Sequence, residues 1–283
     1  MKPFAMVVPV LVMALFSCCQ REVNESIDGL IYDTVPTAHT VTPMIQEASG
    51  IADSKANPGY IWVQEDSGTP PELILLAKDG TVKKRIYVKG AENRDWEDMA
   101  LVGNTIYIGE IGDNNAVHGT YYFYLMEEPL ATADTVYNVT KIAFTYPDGN
   151  HDAEAFIVDP TTKDIYIISK RDNPSIVYKL SYPYQPTQVV TKIGTLGYGG
   201  VVSAALAPDK NTILVKTYFG LNQFVRPTGK SLGDALLSQP KGISYKIEPQ
   251  GEAVSFALDG SGFYTLSEKG FSNAVILYFY KKK

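Results

Sequence analysis

One short phrase recurs along the chain. It reads Glu47-Ala48-Ser49-Gly50-Ile51, Trp96-Glu97-Asp98-Met99-Ala100, Glu154-Ala155-Phe156-Ile157, Ser203-Ala204-Ala205-Leu206 and Glu252-Ala253-Val254-Ser255. Four copies carry a glutamate, Glu47, Glu97, Glu154 and Glu252, and one places Ser203 there. If the copies are structurally equivalent, four carboxylates converge. Two carboxylates ~6 Å apart at an effective dielectric of ~20 repel by about 3 kcal/mol. A ring of four therefore needs a bound cation, basic neighbours or raised pKa values. Hard oxygen donors in a wide ring suit Ca²⁺, whereas Zn²⁺ prefers His and Cys. Glu47, Glu97, Glu154 and Glu252 are the expected ligands of a central Ca²⁺. The alternative has each Glu accepting backbone N–H bonds from a neighbouring turn.

Around these acids stand other groups that can bind a ligand. Asp66 and Asp113 follow strand-like runs, and His151-Asp152 directly precedes Glu154. Trp96 and Asp98 flank Glu97; the indole can stack on a sugar or be buried as core. Lys170 and Lys216 face the gap that Ser203 leaves among the acids, so one side of the site is expected to be basic. They serve either an anionic ligand or neutralisation of the glutamates. Motifs for other chemistries are missing: no Gly-x-Ser-x-Gly, no His-Glu-x-x-His, no phosphate loop and no Cys/His zinc spacing.

A period of about 50 residues built from strand-like runs marks a β-propeller, one blade per repeat. The first repeat supplies runs at 49–53, 60–64, 72–78 and 82–89, punctuated by Asn57-Pro58-Gly59, Gly68-Thr69-Pro70-Pro71 and Asp79-Gly80. The last repeat supplies only three, 254–258, 262–266 and 275–280, while a β-branched run near 36–43 precedes the first. The expected fold is all-β: a single propeller of five blades of four antiparallel strands, the last closed by that N-terminal strand. Such a closure joins the ends of the ring and removes exposed edges. Six blades are the alternative. In this topology the start of each repeat lines one mouth of the central channel, and residues leaving the second strand rim it.

The chain has 283 residues, 45% hydrophobic, with a net charge of −6, 19 Tyr and 23 Gly. The acidic balance excludes a nucleic-acid surface. Both cysteines, Cys18 and Cys19, close an apolar run that begins after Lys2. Residues 1–17 are expected to be a signal peptide, too short and wrongly flanked to span a membrane. Leu15-Phe16-Ser17-Cys18 resembles the lipobox of bacterial lipoproteins, which implies cleavage and lipidation of Cys18. Residues 18–34 then form a tether and 35–283 the propeller. No other cysteine remains, so no disulfide holds the domain.

Longer words also recur from a known group. They include Glu65-Asp66-Ser67-Gly68, Asp95-Trp96-Glu97-Asp98-Met99-Ala100, Ile111-Gly112-Asp113-Asn114-Asn115-Ala116, His151-Asp152-Ala153-Glu154-Ala155 and Gln250-Gly251-Glu252-Ala253. With these the chain resembles a family of secreted bacterial β-propeller lipoproteins, and more distantly the SdiA-regulated and phytase-like esterase propellers. The resemblance implies the fold and a setting in the bacterial cell envelope, on the periplasmic or outer face, and brings no reaction with it. The expected function is binding of a small ligand or glycan at a Ca²⁺-bearing mouth. A metal-assisted hydrolase and a protein-interaction scaffold are the rival expectations.

Overall fold

The computed structural model describes residues 31–283. The expected signal peptide 1–17, Cys18 and most of the tether 18–34 lie outside the described residues. The ring is assembled from repeats whose innermost strands are buried on both faces and whose outermost strands are half wet. Thus β1 (Thr37–Thr40) precedes the first blade, which takes β2 (Ala48–Asp53), β3 (Tyr60–Glu65), β4 (Glu72–Ala77) and β5 (Val82–Val88). The second takes β6 (Trp96–Val102), β7 (Thr105–Glu110), β8 (Tyr121–Glu127) and, after the short β9 (Thr135–Val136), β10 (Val139–Thr145). The third takes β11 (Ala153–Val158), β12 (Ile165–Ser169), β13 (Ile176–Leu180) and, after β14 (Thr187–Val189), β15 (Thr191–Thr195). The fourth takes β16 (Val201–Leu206), β17 (Thr212–Thr217), β18 (Leu221–Val225) and, after the one-turn helix α1 (Leu232–Leu236), β19 (Lys241–Ile243). The fifth takes β20 (Gly251–Phe256), β21 (Gly262–Ser267) and β22 (Ile276–Lys281).

Burial explains the sequence patterns. Every residue of β2 is buried, as in β11 and β20, whereas β5 alternates between exposed and covered positions. An inner strand has neighbours on both faces and reads as a continuous apolar or small-residue run; an outer strand has water on one face. The inner strands β2, β6, β11, β16 and β20 touch in that cyclic order and enclose the channel. Five blades are found, as the repeat count predicts. The fourth strand of the last blade is β1, antiparallel to β22 with His39 opposite Leu277. Tyr32, at the end of the expected tether, also joins this blade: it bridges to Lys282 and packs edge-on against Phe263.

The periodicity did not announce how blade edges are covered. β9 leaves the second blade to pair in parallel with β5, and β14 leaves the third to pair in parallel with β10. In each case the connection to the fourth strand of one blade caps the outer edge of the preceding blade, which protects unpaired backbone groups. The segment after β1 is treated likewise, with Thr42 bridged to Thr81 in the first blade's turn. Apolar clusters fill the spaces between blades. Between the second and third they are largely aromatic: Tyr121, Phe123, Phe144, Tyr146, Phe156 and Tyr178.

The inner strands approach closely enough to demand glycine at one point. A Cβ on Gly50 would stand 2.7 Å from the Met99 nitrogen and 2.9 Å from the Asp98 carbonyl carbon, both rigid backbone of the next blade. Gly50→Ala is expected to destabilise the protein by about 1–3 kcal/mol through overpacking. Urea unfolding of the variant checks this, and an unchanged midpoint would contradict it.

Candidate functional site

Each of the five inner strands carries the same irregularity at its start. Pairing with the second strand skips Ser49 in the first blade, Glu97 and Asp98 in the second, Glu154 in the third, Val202 in the fourth and Glu252 in the fifth. A β-bulge of this kind leaves the extra residue out of the ladder and re-aims its side chain. The equivalent positions around the channel are therefore Ser49, Glu97, Glu154, Val202 and Glu252. The four repeated glutamates divide accordingly. Glu97, Glu154 and Glu252 occupy bulges and are buried, whereas Glu47 precedes its bulge by two residues and stays partly exposed at the rim. Ser49 takes the inward place in the first blade and donates to Glu97 Oε2 at 3.2 Å.

Further acids enter from the loops ahead of the bulges and from the ends of the second strands. Oxygens of Asp66, Asp95 and Glu97 lie within 4.8 Å of one another, and so do oxygens of Glu97, Asp152 and Glu154. Glu97 belongs to both sets; Glu47 and Glu252 belong to neither. Two cations stand among these acids. Lys170 Nζ donates to Glu154 Oε1 and, at 3.1 Å, to the Tyr218 hydroxyl, and lies 3.9 Å from Glu252 Oε1. Arg171 Nε is 2.9 Å from Asp152 Oδ2. Tyr218 in turn donates to Glu252 Oε1. The other oxygen of Glu154, Oε2, is buried without any hydrogen-bond partner, although the residue is only 3% exposed. A buried carboxylate oxygen with nothing donating to it is costly.

Carboxylates outnumber cations here, and their proton affinities respond. Burial, followed by the charges of Glu154, Asp66 and Asp95, pushes Glu97 well above the usual carboxylate range. Burial also carries Glu154 well up, against the pull of Lys170. Asp95 is raised to about 7 by burial and then by Asp66, and Glu268 to about 9 by burial and then by Glu252. Between roughly pH 4, where these groups ionise in an unfolded chain, and pH 7 to 9, where Asp95 and Glu268 ionise here, the folded state holds more protons than the unfolded one. Stability of the cation-free protein must then fall as pH rises. A lower melting temperature at pH 8 than at pH 5 in chelator is expected; a higher one would show that Lys170 and Arg171 alone keep the acids ionised.

The remaining predicted residues are placed as follows. Asp152 sits in the mouth, its Oδ1 accepting the Asp113 backbone N–H at 2.7 Å. Asp113 itself turns into its own loop, accepting from Val117 N, His118 N and the Tyr121 hydroxyl, so it positions Asp152 instead of meeting a ligand. His151 lies beside the mouth, its Nδ1 2.9 Å from Asp172 and its Nε2 2.9 Å from the Tyr178 hydroxyl. Trp96 is fully buried between blades, its Nε1 donating to Glu92 O at 2.8 Å, so it is core and offers no face to a sugar. Lys216 is also fully buried, donating to Gly251 O with Glu248 Oε2 at 3.7 Å; burial lowers its pKa and Glu248 opposes that. Lys170 is thus the lysine that reaches the mouth.

Asp98 lies deeper still. Its Oδ2 accepts the Ala204 N–H at 3.0 Å and its Oδ1 the Ser203 hydroxyl at 3.2 Å, while Ser203 Oγ accepts from Val254 N. Blades two, four and five are thereby joined across the axis. The other end of the channel is different in kind, a cavity of ≈ 200 Å³ lined mainly by apolar residues such as Ile51, Met99, Phe156, Ala204 and Val254. Among the described residues no helix is long and apolar enough to cross a membrane. Asp66 and Asp152 were expected to meet a ligand and not the cation, and Asp95 was not singled out, because all three stand outside the repeated phrase; an acid two places before both Glu97 and Glu154 was the available signal for Asp95 and Asp152.

No family model matches the chain, and no curated protein sequence matches it. Among solved structures, the PQQ-bound aldose sugar dehydrogenase of Streptomyces coelicolor is similar at a TM-score of 0.51 with 8% identity, over 89% of this chain and 100% of that one. Hydrazine synthase of Kuenenia stuttgartiensis gives a TM-score of 0.46 with 10% identity, over 81% of this chain and 70% of that one. At 8% identity the first likeness speaks for the fold alone, and the chain is a five-bladed β-propeller.

Proposed function

We propose that this protein is a lipid-anchored propeller of the bacterial cell envelope that binds Ca²⁺ at its acidic mouth and, through the ion, a small ligand or glycan. The observation that carries the reading is the unpartnered Oε2 of buried Glu154, beside Glu97 and Asp152. An ion there would take up the oxygen that no donor reaches and the charge that Lys170 and Arg171 leave over. All-oxygen donors from flexible carboxylates fit Ca²⁺. Its remaining coordination positions would be open to hydroxyl or carboxylate groups of a ligand entering the mouth, with Lys170 and Tyr218 at one side. The lipobox-like Leu15-Phe16-Ser17-Cys18 supports the anchor.

The test is a glycan array probed with purified protein in Ca²⁺ and again in chelator, alongside calorimetric titration with CaCl₂. Ca²⁺ binding in solution and glycan signals lost in chelator are expected. Absence of calorimetric binding would overturn the ion, and glycan signals indifferent to chelator would overturn its role in recognition.

A further inference from the structure

The channel's other end holds the apolar cavity of ≈ 200 Å³, and none of the clustered acids lines it. Small side chains keep the space open where the inner strands converge: Ala52, Ala100, Ala204, Ala205 and Ala207 all line it. An engineered apolar cavity of about 150 Å³ in another protein stays dry and takes up benzene. Here the cavity reaches the surface, with Leu258 and Lys210 exposed at its lip. We propose that it binds a small apolar carboxylate, an aromatic or short aliphatic acid, with its body among the inner strands and its carboxylate against Lys210. This site is independent of the ion at the mouth.

Charge selects the ligand. Only Asp53, Lys210 and Ser255 bring polar side chains to the wall. Asp53 Oδ2 accepts the Leu258 N–H at 2.9 Å and its Oδ1 lies 2.8 Å from Lys78 Nζ, so its charge is met. Ser255 donates its hydroxyl to Phe256 O at 3.3 Å. The Lys210 ammonium, by contrast, makes no ion pair or hydrogen bond among the described residues. Its neighbour Asp209 is occupied within the turn, accepting from Asn211 N and from the N–H and hydroxyl of Thr212. One unpaired cation beside apolar walls matches one negative charge on an apolar body. A cationic ligand would meet repulsion there, and a ligand with many hydroxyls would find no partners inside.

The backbone points to the same lysine. Lys210 has a φ of 62°, in the left-handed region that favours glycine. The fifth blade folds the same turn, Gly260 N–H to Ala257 O with Asp259 accepting from Ser261 N, and places glycine there at a φ of 72°. In the fourth blade the turn closes from Lys210 N–H to Ala207 O with a full side chain in that strained place. Strain of this kind collects at functional positions. Lys163 of the third blade is also left-handed, but its ammonium lies over the Tyr182 ring at 4.9 Å and it does not line the cavity.

The experiment titrates benzoate and hexanoate into the full chain by calorimetry, in chelator so that the mouth holds no ion, with benzylamine and benzyl alcohol as controls. Saturable binding of at least one of the two acids is expected, with both controls weaker by about tenfold, the worth of one hydrogen bond to a charged group. Lys210→Gly is expected to fold and melt like the parent, because glycine adopts that backbone without strain, and to lose about tenfold in affinity for the acid. Lys210→Glu is expected to reverse the order, taking benzylamine over benzoate. Ala100→Leu is expected to fill the space and abolish binding of acids and controls alike; should it not fold by circular dichroism, Ala205→Val takes its place. No saturable binding of either acid overturns the site. Acid binding unchanged in Lys210→Gly, or benzyl alcohol bound as well as benzoate, overturns the carboxylate and its lysine. Acid binding that survives the filling variant overturns the cavity as its place. None of these failures touches the calcium titration, which reads the mouth.

Discussion

Calcium at a hundredfold excess over its dissociation constant is expected to raise the melting temperature of the chelator-treated protein by roughly 5–10 °C. Binding to the native state alone at that excess stabilises by about 2.7 kcal/mol, and a domain of this size shifts by about 2–4 °C per kcal/mol. Glu97→Gln is expected to remove most of that shift and to weaken binding by about a hundredfold or more. The amide keeps one carbonyl oxygen but replaces the other with an NH₂ that repels a cation, at the residue common to both acid sets. It also removes a buried acid whose proton affinity is raised by burial and then by its acidic neighbours. The variant without Ca²⁺ should therefore be at least as stable as the parent, and this separates a lost ligand from a damaged fold. Differential scanning calorimetry of both proteins with CaCl₂ and with chelator reads all four states. Equal shifts in the two would sink the assignment of Glu97.

The second large effect lies below the mouth. Asp98→Ala is expected to cost about 3 kcal/mol, from loss of a buried carboxylate that accepts from Ala204 N and the Ser203 hydroxyl. A buried N–H left without an acceptor costs about 1–3 kcal/mol, and the space left by the side chain adds to it. The Ser203 hydroxyl loses its acceptor while still receiving the Val254 N–H, so three blades loosen at once. Asp98→Asn should recover part of the loss, since its carbonyl oxygen can still accept from the donors on one side of the carboxylate. Chemical denaturation of both variants gives the comparison. A drop below about 0.5 kcal/mol in Asp98→Ala would show that the ring closes without this crossing.

Sequence periodicity carried the architecture a long way. The recurrence near 50 residues and the strand missing from the last repeat were enough to infer five blades and the closing β1, because both follow from local patterning and the need to leave no open edge. The parallel additions of β9 and β14 were not legible. A two- or three-residue strand has no period of its own, and its place depends on which neighbouring edge lies bare.

The site divides along the same line. Sequence alone determined that acids would gather at one end of the channel, since a residue type repeated at one point of four of the five blades is brought to one mouth by the closure of the ring. Only the tertiary structure decided which acids meet. A bulge inserts one residue into the ladder without any mark in the letters, so the phrase that aligns Glu47 with Glu97 hides that Ser49 holds the inward place. Trp96 and Lys216 are types that serve equally well in a ligand site or a core, and the packing of adjacent blades settled both as core. Asp95 stands two residues before Glu97, but Asp66 and Asp152 became members of the acid sets because loops of the first and third blades bring them to Glu97, a proximity set by the closure of the ring and not by their separation along the chain.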